Sequence, residues 1–391
     1  MALRVFLLVG FLSLPAFATE TISPGLVKLV HRLYLAQGRE VSTAQTKQQL
    51  LQNQFLLSQA KQLNPELLLR QSSVGFSTAY HVDKYLYHAL QQWFPTLQQT
   101  PWQARPLLID QAQLLAMLGA YPSSGQYTAA QLNRWQAIQL VKQSELTLAQ
   151  VLDSQSMQNR YQLHQGNVKL LRSIVNQQLK QQRTFAAAKP HLAKQQLSLE
   201  QVRQVVTAEL IRPSMLAYLG VKEELHGATS EYVAQLQSSI SATAIGHYYQ
   251  QHRAQFRYVK QVHASAAQFS QRQDAVEFRQ VVQASSWQDA VKQLQPSLVW
   301  QAQLMPINRD SQPRWQTQLA FTLEPGTISP VIRTPAAKWL VMTTQSPVTD
   351  YYPVDSETVR YQAMQTLTRQ VAQQRFNDKY NAWLKQRKEQ L

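Results

Sequence analysis

Apolar residues recur at helical spacing along most of the chain, and no other feature limits its fold as strongly. Stripes that repeat every three or four residues follow Ser42, Asn167 and Ser198, as they do on helices that bury one face. The last stripe is expected to break at Pro213, because a proline inside a helix removes a backbone hydrogen bond. Gln, a good helix former without charge, fills the opposite faces. Residues 25–255 are therefore predicted to be mainly helical.

Local signals mark where these helices begin and end. A Ser or Thr followed three residues later by Gln can form a capping box, in which each side chain satisfies an otherwise unpaired backbone amide. The chain carries this pattern at Ser42–Gln45, Thr128–Gln131 and Ser198–Gln201. Turns between helices are predicted at Pro95, Pro101, Pro106 and 122–125.

The pattern changes near Phe256, where short strand-like and helix-like segments alternate. Strands are predicted at 259–269, 298–304, 331–332 and 339–343, and helices at 274–284 and 318–323. Together they make a small α+β unit of ordinary domain size. After Pro353 the helical period returns, and this last helix is amphipathic, so it needs a partner. The expected partner is the helical region before Phe256, with the α+β unit inserted between the two.

The first eighteen residues have the pattern of a secretory signal. Arg4 precedes a short apolar run at 5–14, Pro15 breaks the helix, and small residues end at Ala18. The run is shorter than the roughly 20 residues that span a bilayer. We therefore predict cleavage after Ala18, a periplasmic location and no transmembrane segment. The absence of Cys suits an oxidising compartment and excludes disulfides and thiolate metal sites.

The chain is strongly basic, with a formal net charge of +16. Outside the cytoplasm, such a charge favours contact with anionic lipid head groups, acidic polysaccharide and acidic unfolded chains. Peripheral contact with an anionic membrane surface is one interpretation. Nucleic acid is not a predicted partner, because Lys and Arg are spread thinly among Gln without a basic cluster interleaved with aromatics.

Three stretches together resemble the SurA/PpiC group of exported folding helpers. Residues 240–256 resemble the family's linker into its isomerase domain, a capped helix with a Tyr-Tyr pair that is closed by a Phe. The α+β unit follows, and the last helix ends in Ala-Trp-Leu at 382–384. The resemblance covers residues 140–391 and is weaker over 25–140.

Within the α+β unit, the match is to parvulin-type peptidyl-prolyl isomerases. Residues 321–331, Phe-Thr-Leu-Glu-Pro-Gly-Thr-Ile-Ser-Pro-Val, are close to the family's Phe-x-Leu-x-Pro-Gly-x-Ile-Ser-x-Pro-Val run. Residues 297–300 stand where the family carries Asp-Leu-Gly-Trp, and 337–341 match its Gly-Tyr-His-Ile-Ile strand. Phe278 falls at a family Phe in the first helix.

The resemblance implies an α+β protein in which a parvulin-like domain is inserted into a chaperone-like module. That module would consist of a mainly helical N-terminal region and the C-terminal helix. The predicted segments are a signal peptide at 1–18, an N-terminal helical region at 19–140, a SurA-like helical region and linker at 141–256, a degenerate parvulin-like domain at 257–346, and an amphipathic helix at 347–391 that packs on the helical region.

The domain is predicted to be degenerate because its catalytic positions have changed. Parvulins place one His in the first strand and one in the last, and here Ala266 and Trp339 hold those positions. His263 lies three positions before Ala266, so it points to the other face of a strand, in which side chains alternate. The family's paired Gly and its Asp fall on residues 295–297, which are Gln, Pro and Ser. No catalytic residue is expected to be intact.

A socket for a proline ring does not depend on the His pair. Its candidates are apolar or aromatic positions of the strands and the following helix: Trp300, Met305, Phe321 and Trp339. Core positions are the alternative interpretation for Trp300 and Phe321, since large aromatics are usually buried. The hypothesis is a domain that binds extended or Pro-containing segments and isomerises weakly or not at all.

The leading interpretation is a chaperone for unfolded exported polypeptides, and the resemblance implies aromatic-rich clients such as outer-membrane proteins. Two alternatives stay open: an active isomerase with an atypical site, and a dedicated adaptor of a secretion or polysaccharide-export system. No cofactor and no metal are predicted. His81 and His88 share a helix face without further ligands, and neither a Gly-rich phosphate loop nor a hydrolase motif occurs.

Overall fold

The computed structural model describes residues 22–70, 75–99, 101–223, 229–309 and 315–389. The predicted signal peptide at 1–18 lies outside these residues. The chain divides into two units: unit 1 comprises the described residues up to Leu236 and those from Arg369 onward, and unit 2 comprises Gln237–Thr368. Within the described ranges, no helix has the length and apolar character needed to cross a membrane.

Unit 1 is built from helices, as predicted for residues 25–255. In chain order they are α1 (Pro24–Ala36), α2 (Thr43–Leu63), α3 (Glu66–Leu69), α4 (Thr78–Trp93), α5 (Gln111–Leu118), α6 (Ala129–Gln136), α7 (Leu148–Ser154), α8 (Met157–His164), α9 (Val168–Ala193), α10 (Leu199–Tyr218) and α11 (Glu231–Ser238). A 3₁₀ turn at Pro95–Gln99 follows α4.

Unit 2 contains a four-stranded antiparallel sheet in the order β2-β1-β4-β3. Its elements are α12 (Ala242–His252), a 3₁₀ turn (Arg253–Phe256), β1 (Arg257–Phe269), α13 (Arg272–Ala284), α14 (Trp287–Leu294), β2 (Ser297–Asn308), α15 (Trp315–Ala320), β3 (Ile332–Arg333) and β4 (Trp339–Tyr351). The last helix, α16 (Glu357–Glu389), supplies residues to both units. The predicted α+β class, with a strand-containing insert before a C-terminal helix, is confirmed.

The three predicted capping boxes all form. Ser42, Thr128 and Ser198 each accept a hydrogen bond from the backbone amide of the Gln three residues on. Asp110 and Thr147 start two further boxes of the same kind. Loss of such a cap typically costs about 1 kcal/mol. Gln holds the third helical position in all five boxes, so its abundance serves helix starts as well as polar faces.

The predicted break at Pro213 is wrong. α10 continues from Leu199 to Tyr218 with Pro213 inside it. A proline in a helix removes one hydrogen bond and crowds the preceding turn. On either side of it, Ile211 and Met215 are fully buried in one apolar cluster. Burial of both flanking turns offsets the local cost, so tertiary packing overrides helix propensity.

The apolar residues of unit 1 collect in three clusters. The first joins α1, α4, α9 and α10, and the second joins α5 to α9. The third joins α2 and α10 to the end of α16. The long helix α9 contributes to the first two clusters, so it ties the early helices to the short ones that follow.

Two parts of unit 2 differ from the sequence-based boundaries. α12 and the first turns of α16 pack together through Ile245, Tyr248, Val359 and Ala363, so unit 2 is wider than the predicted 257–346. The predicted tail of 347–391 accordingly divides between the two units at 368/369. β4 also continues to Tyr351, beyond its predicted end at 343, because its polar second half pairs with the start of β1.

Helix α14 was not predicted from the sequence. Its apolar side consists of a few residues, of which Ala290 is fully buried, and Trp287 packs edge-on against Phe278 at 5.0 Å between ring centroids. A segment of eight residues gives too little periodic signal to be recognised without this contact.

Candidate functional site

The sheet of unit 2 buries Ala266, which holds one of the two positions where parvulins carry a His. Ala266 is fully buried, lies opposite Met342 of β4 and pairs through its backbone with Trp300 of β2. It belongs to an apolar cluster that also contains Ala264 and Leu340. Ala266 itself therefore has no side-chain group that could exchange a proton with a bound peptide.

Trp339 holds the other position where parvulins carry a His, and it lies on the face of the sheet opposite to that of Ala266. Its partner across the strands is Phe269, and it packs in a second cluster with Phe278 of α13. The guanidinium carbon of Arg272 lies 5.8 Å from the centre of its ring. Because side chains alternate along a strand, Trp339 and Leu340 point to different faces. The structure thus does not bring Ala266 and Trp339 together, and Met342 is the residue that β4 places opposite Ala266.

Two predicted groove residues share the face of Ala266. Met305 lies opposite Ala264 and is 40% exposed. Phe321 is half-buried against the same cluster, and the guanidinium carbon of Arg309 lies 4.7 Å from its ring centre. The side chain of Trp300, the third predicted residue, lies outside the described part of the chain. This face therefore offers an accessible thioether and an aromatic ring to an apolar ligand.

His263 occupies the position opposite Pro306 and Gln345. It is half-buried, and its Nδ1 has no hydrogen-bond partner among the described residues. Strand alternation places it with Ser265 and Ala267, on the face away from Ala266. It therefore cannot replace an imidazole at Ala266, as the sequence predicted.

A second candidate site lies in unit 1, between α2, α10 and the end of α16. It is an open groove of about 800 Å³, which we call the tail groove. Its apolar lining consists of Phe55, Leu57, Ala382 and Trp383, and its basic lining of Lys61, Lys379 and Arg387. Most other lining residues are Gln, and no acidic side chain is found among those described. The groove combines aromatic surface with positive charge.

An aromatic cluster beside the groove attaches α16 to α2. The ring of Phe55 lies 5.6 Å from Phe376, 5.5 Å from Tyr380 and 5.9 Å from Trp383, centre to centre. Arg387 places its guanidinium carbon 5.0 Å from the ring centre of Trp383. The pKa of Tyr380 is raised above its ordinary value, because the effect of burial exceeds the opposite effect of nearby Arg212. The apolar stripe predicted for the last helix is therefore only partly covered where α16 belongs to unit 1, since Tyr380 is buried and Trp383 is half-buried.

A polar network holds α2 and α10 together below this cluster. Glu209 accepts hydrogen bonds from the Tyr34 hydroxyl at 2.9 Å, from the Gln49 amide at 3.0 Å and from the Asn53 amide. Arg212 donates to the side-chain Oδ1 of Asn53 at 2.6 Å. Burial and the carboxylate of Glu209 raise the pKa of Tyr34, so its hydroxyl remains a donor. This network holds α2 against α10, and both helices contribute residues to the lining of the groove.

Sequence reasoning missed the tail groove as a site. A binding cradle was expected from the helices of 150–240 and the last helix, whereas α2 supplies much of the lining. The capping box at Ser42 and the Trp near the C-terminus were recognised separately. Their proximity depends on a contact between residues more than 300 positions apart, such as Phe55 and Trp383, and no local pattern encodes such a contact.

Residues 240–350 match the family model described as a PPIC-type PPIASE domain. Unit 2 therefore contains a segment that is similar to PPIC-type peptidyl-prolyl isomerase domains. The resemblance to this group is thus confirmed at the level of the domain, and the matched range begins before α12 and ends in β4. No curated protein matches the chain.

Solved structures with partial similarity include proteins from two bacteria. The foldase protein PrsA from Streptococcus pneumoniae aligns with 14% identity over 49% of this chain and 68% of its own, at a TM-score of 0.22. Two Campylobacter jejuni structures, from the pair PEB4 and Cj1289 described as SurA-like chaperones, align with 14% and 16% identity. They cover 68% and 56% of this chain and 97% and 76% of their own, at TM-scores of 0.22 and 0.18. TM-scores of this size do not establish a common overall fold, so the family assignment rests on residues 240–350.

Proposed function

We propose that the protein is a periplasmic chaperone that holds extended segments of unfolded exported polypeptides in the tail groove. The observation that carries this proposal is the groove itself, about 800 Å³ in volume, with aromatic and basic lining and no described acidic residue. Aromatic rings provide contact area for apolar client side chains, and the cations favour acidic segments. Clients rich in aromatic residues, such as outer-membrane proteins, suit this lining.

The PPIC-type domain is proposed to bind proline-containing segments on the face that carries Met305 and Phe321, with little or no turnover. Isomerisation must lower a rotational barrier of about 18–20 kcal/mol. An apolar face can hold a proline ring, but Ala266 and Trp339 supply no imidazole pair to favour the twisted amide. The domain match itself favours a second candidate, an active isomerase with an atypical site.

Suppression of client aggregation tests the chaperone proposal. We expect the mature chain to reduce light scattering by a chemically unfolded acidic protein, and both Trp383→Ala and Lys379→Glu to weaken this effect severalfold. Arg375→Glu is the matched control, since it makes the same charge change at an exposed position of α16 that does not line the groove. Equal suppression by all four proteins, with unchanged circular dichroism, would rule out the tail groove as the client site.

A proline-isomerisation assay on a short peptide separates the two candidates. We expect a rate no faster than the uncatalysed reaction. Turnover comparable to that of an intact parvulin would contradict the proposed loss of activity and support the active isomerase. In that case Met305→Ala and Phe321→Ala should reduce the rate, whereas Trp339→Ala, on the other face, should not.

A further inference from the structure

A second cleft in unit 1 differs in chemistry from the tail groove. Two open cavities of about 330 Å³ and 410 Å³ are both lined by Trp102 and by α9. We call them together the Trp102 cleft. Trp102 is half-buried, so part of its ring surface stays accessible from the cleft. Neither the PPIC-type domain nor the proposed client groove contributes to it.

Side-chain amides supply most of the polar lining. The first cavity has Asn176, Gln177 and Gln181, and the second has Gln143, Ser144 and Gln182. A primary amide both donates and accepts hydrogen bonds, and so does a hydroxyl group. A ligand that presents many hydroxyl groups can therefore satisfy several of these side chains at once, in either sense.

The charges of the cleft are mainly positive, and both of its cavities carry at least one cation. Lys180 lies in the first cavity, and Arg105 and Arg183 lie in the second, where Glu145 is the acidic residue that accompanies them. Lys180 and Arg183 are three residues apart on α9, so they stand on neighbouring turns. A ligand with carboxylates at intervals along a chain matches this arrangement better than one with a single concentrated charge.

The segment that carries Trp102 is tied to the elements around it. The backbone amide of Arg105 donates to the Asn176 side-chain oxygen at 3.3 Å, and its guanidinium donates to the Lys142 carbonyl at 3.3 Å. These bonds connect the loop to α9 and to the turn that bears Gln143. The cleft is therefore held in place before a ligand arrives, which lowers the entropy lost on binding.

We propose that the Trp102 cleft binds an anionic oligosaccharide. The flat apolar face of a sugar ring stacks on the indole, the amides bond the hydroxyl groups, and the cations pair with the carboxylates. A polypeptide segment would need aliphatic or aromatic sockets for its side chains. The cleft offers few: Leu179 is the aliphatic residue and Tyr87 the second large aromatic among its described lining. The tail groove, with Phe55, Leu57 and Trp383, has that character instead.

Calorimetric titration of the mature chain tests this inference, with an oligogalacturonate as the probe. We expect saturable binding that weakens as salt is raised, and a loss of roughly tenfold or more in affinity for Trp102→Ala and for the double variant Lys180→Gln/Arg183→Gln. Lys189→Gln is the matched control, because it removes a charge at an exposed position of the same helix outside the cleft. Trp383→Ala, in the tail groove, should also leave binding unchanged.

Two further ligands make the outcome decisive. A maltooligosaccharide of the same length should bind much more weakly, since it lacks carboxylates, and oligoglutamate should bind much more weakly, since it lacks sugar rings. Equal affinity for oligoglutamate would identify the cleft as an acidic-peptide site. An unchanged affinity in folded Trp102→Ala, or no binding at millimolar probe, would also overturn the proposal. Because the aggregation assay tests residues of the tail groove and the titration tests residues of the Trp102 cleft, either proposal can fail alone.

Discussion

Aromatic residues have different structural roles in the two units. In unit 1, Phe55 packs against three aromatic side chains of α16 and leaves an open groove beside them. In unit 2, Phe278 and its neighbours close a compact core between the sheet and its helices. The isomerase-type domain thus places Ala266 in a closed apolar cluster, whereas the helical unit carries the charged and amide-lined openings. Similarity of one domain to a known family therefore does not identify where a chain binds its ligands.

Core truncations give the largest expected effect and test whether the units are independent. Phe55 is 2% exposed and Phe278 is fully buried, so replacing either with Ala should cost about 3–5 kcal/mol. In urea unfolding followed by circular dichroism and tryptophan fluorescence, Phe55→Ala should shift the transition of unit 1 and Phe278→Ala that of unit 2. Tyr361→Ala, at a site 66% exposed, is the control. One common transition that both variants shift equally would contradict independent units.

The Glu209 network should have a smaller effect that is confined to unit 1. Glu209→Gln leaves the buried amide of Asn53 and the hydroxyl of Tyr34 without a charged acceptor. Hydrogen bonds to a charged group are stronger than those to a neutral one by about 1 kcal/mol, so the free energy of unfolding should fall by about 1–2 kcal/mol in urea titrations. Glu200→Gln, at an exposed position in the first turn of the same helix, should change little. Equal losses for the two variants would show that the network has no particular role.

The smallest expected effect is a pH dependence that sharpens the contrast between the units. His164 is 3% exposed, and burial, aided by Arg160, lowers its pKa from 6.5 despite hydrogen bonds to backbone carbonyls. Its contribution to stability is therefore fully present above about pH 6.5 and is lost as pH falls through the lower folded-state pKa. The slope for this one group cannot exceed about 1.4 kcal/mol per pH unit.

Unfolding measured from pH 7 to pH 5 checks this expectation. The wild-type unit 1 should lose stability over that range, and His164→Asn should lose less. His88→Asn, at an exposed position of α4, should behave like the wild type. An identical acid response in His164→Asn would mean that the side chain is not kept neutral by its surroundings.

Much of the local structure could be predicted from the sequence. The capping boxes at Ser42, Thr128 and Ser198 and the strands and helices of the α+β unit depend on neighbours within a few residues, so they were recognised. The break at Pro213 was wrong because that residue's local preference is overridden by burial of the turns around it. Helix α14 was not predicted because it depends on the contact of Trp287 with Phe278, which no local pattern encodes.

For the candidate sites, too, some features could be predicted from the sequence and others could not. From the residue types alone, Ala266 and Trp339 cannot do the work of imidazoles, and no fold could change that. Their positions on opposite faces follow from the pairing of Phe269 with Trp339, a register that only the assembled sheet defines. The tail groove depends still more on tertiary structure, since α2 and the end of α16 are in contact although they lie near opposite ends of the sequence. The sequence determined which chemistry is absent and where helices start, because both depend on single residues and near neighbours. Only the tertiary structure decided which surfaces stay open, because that depends on how distant helices bury one another.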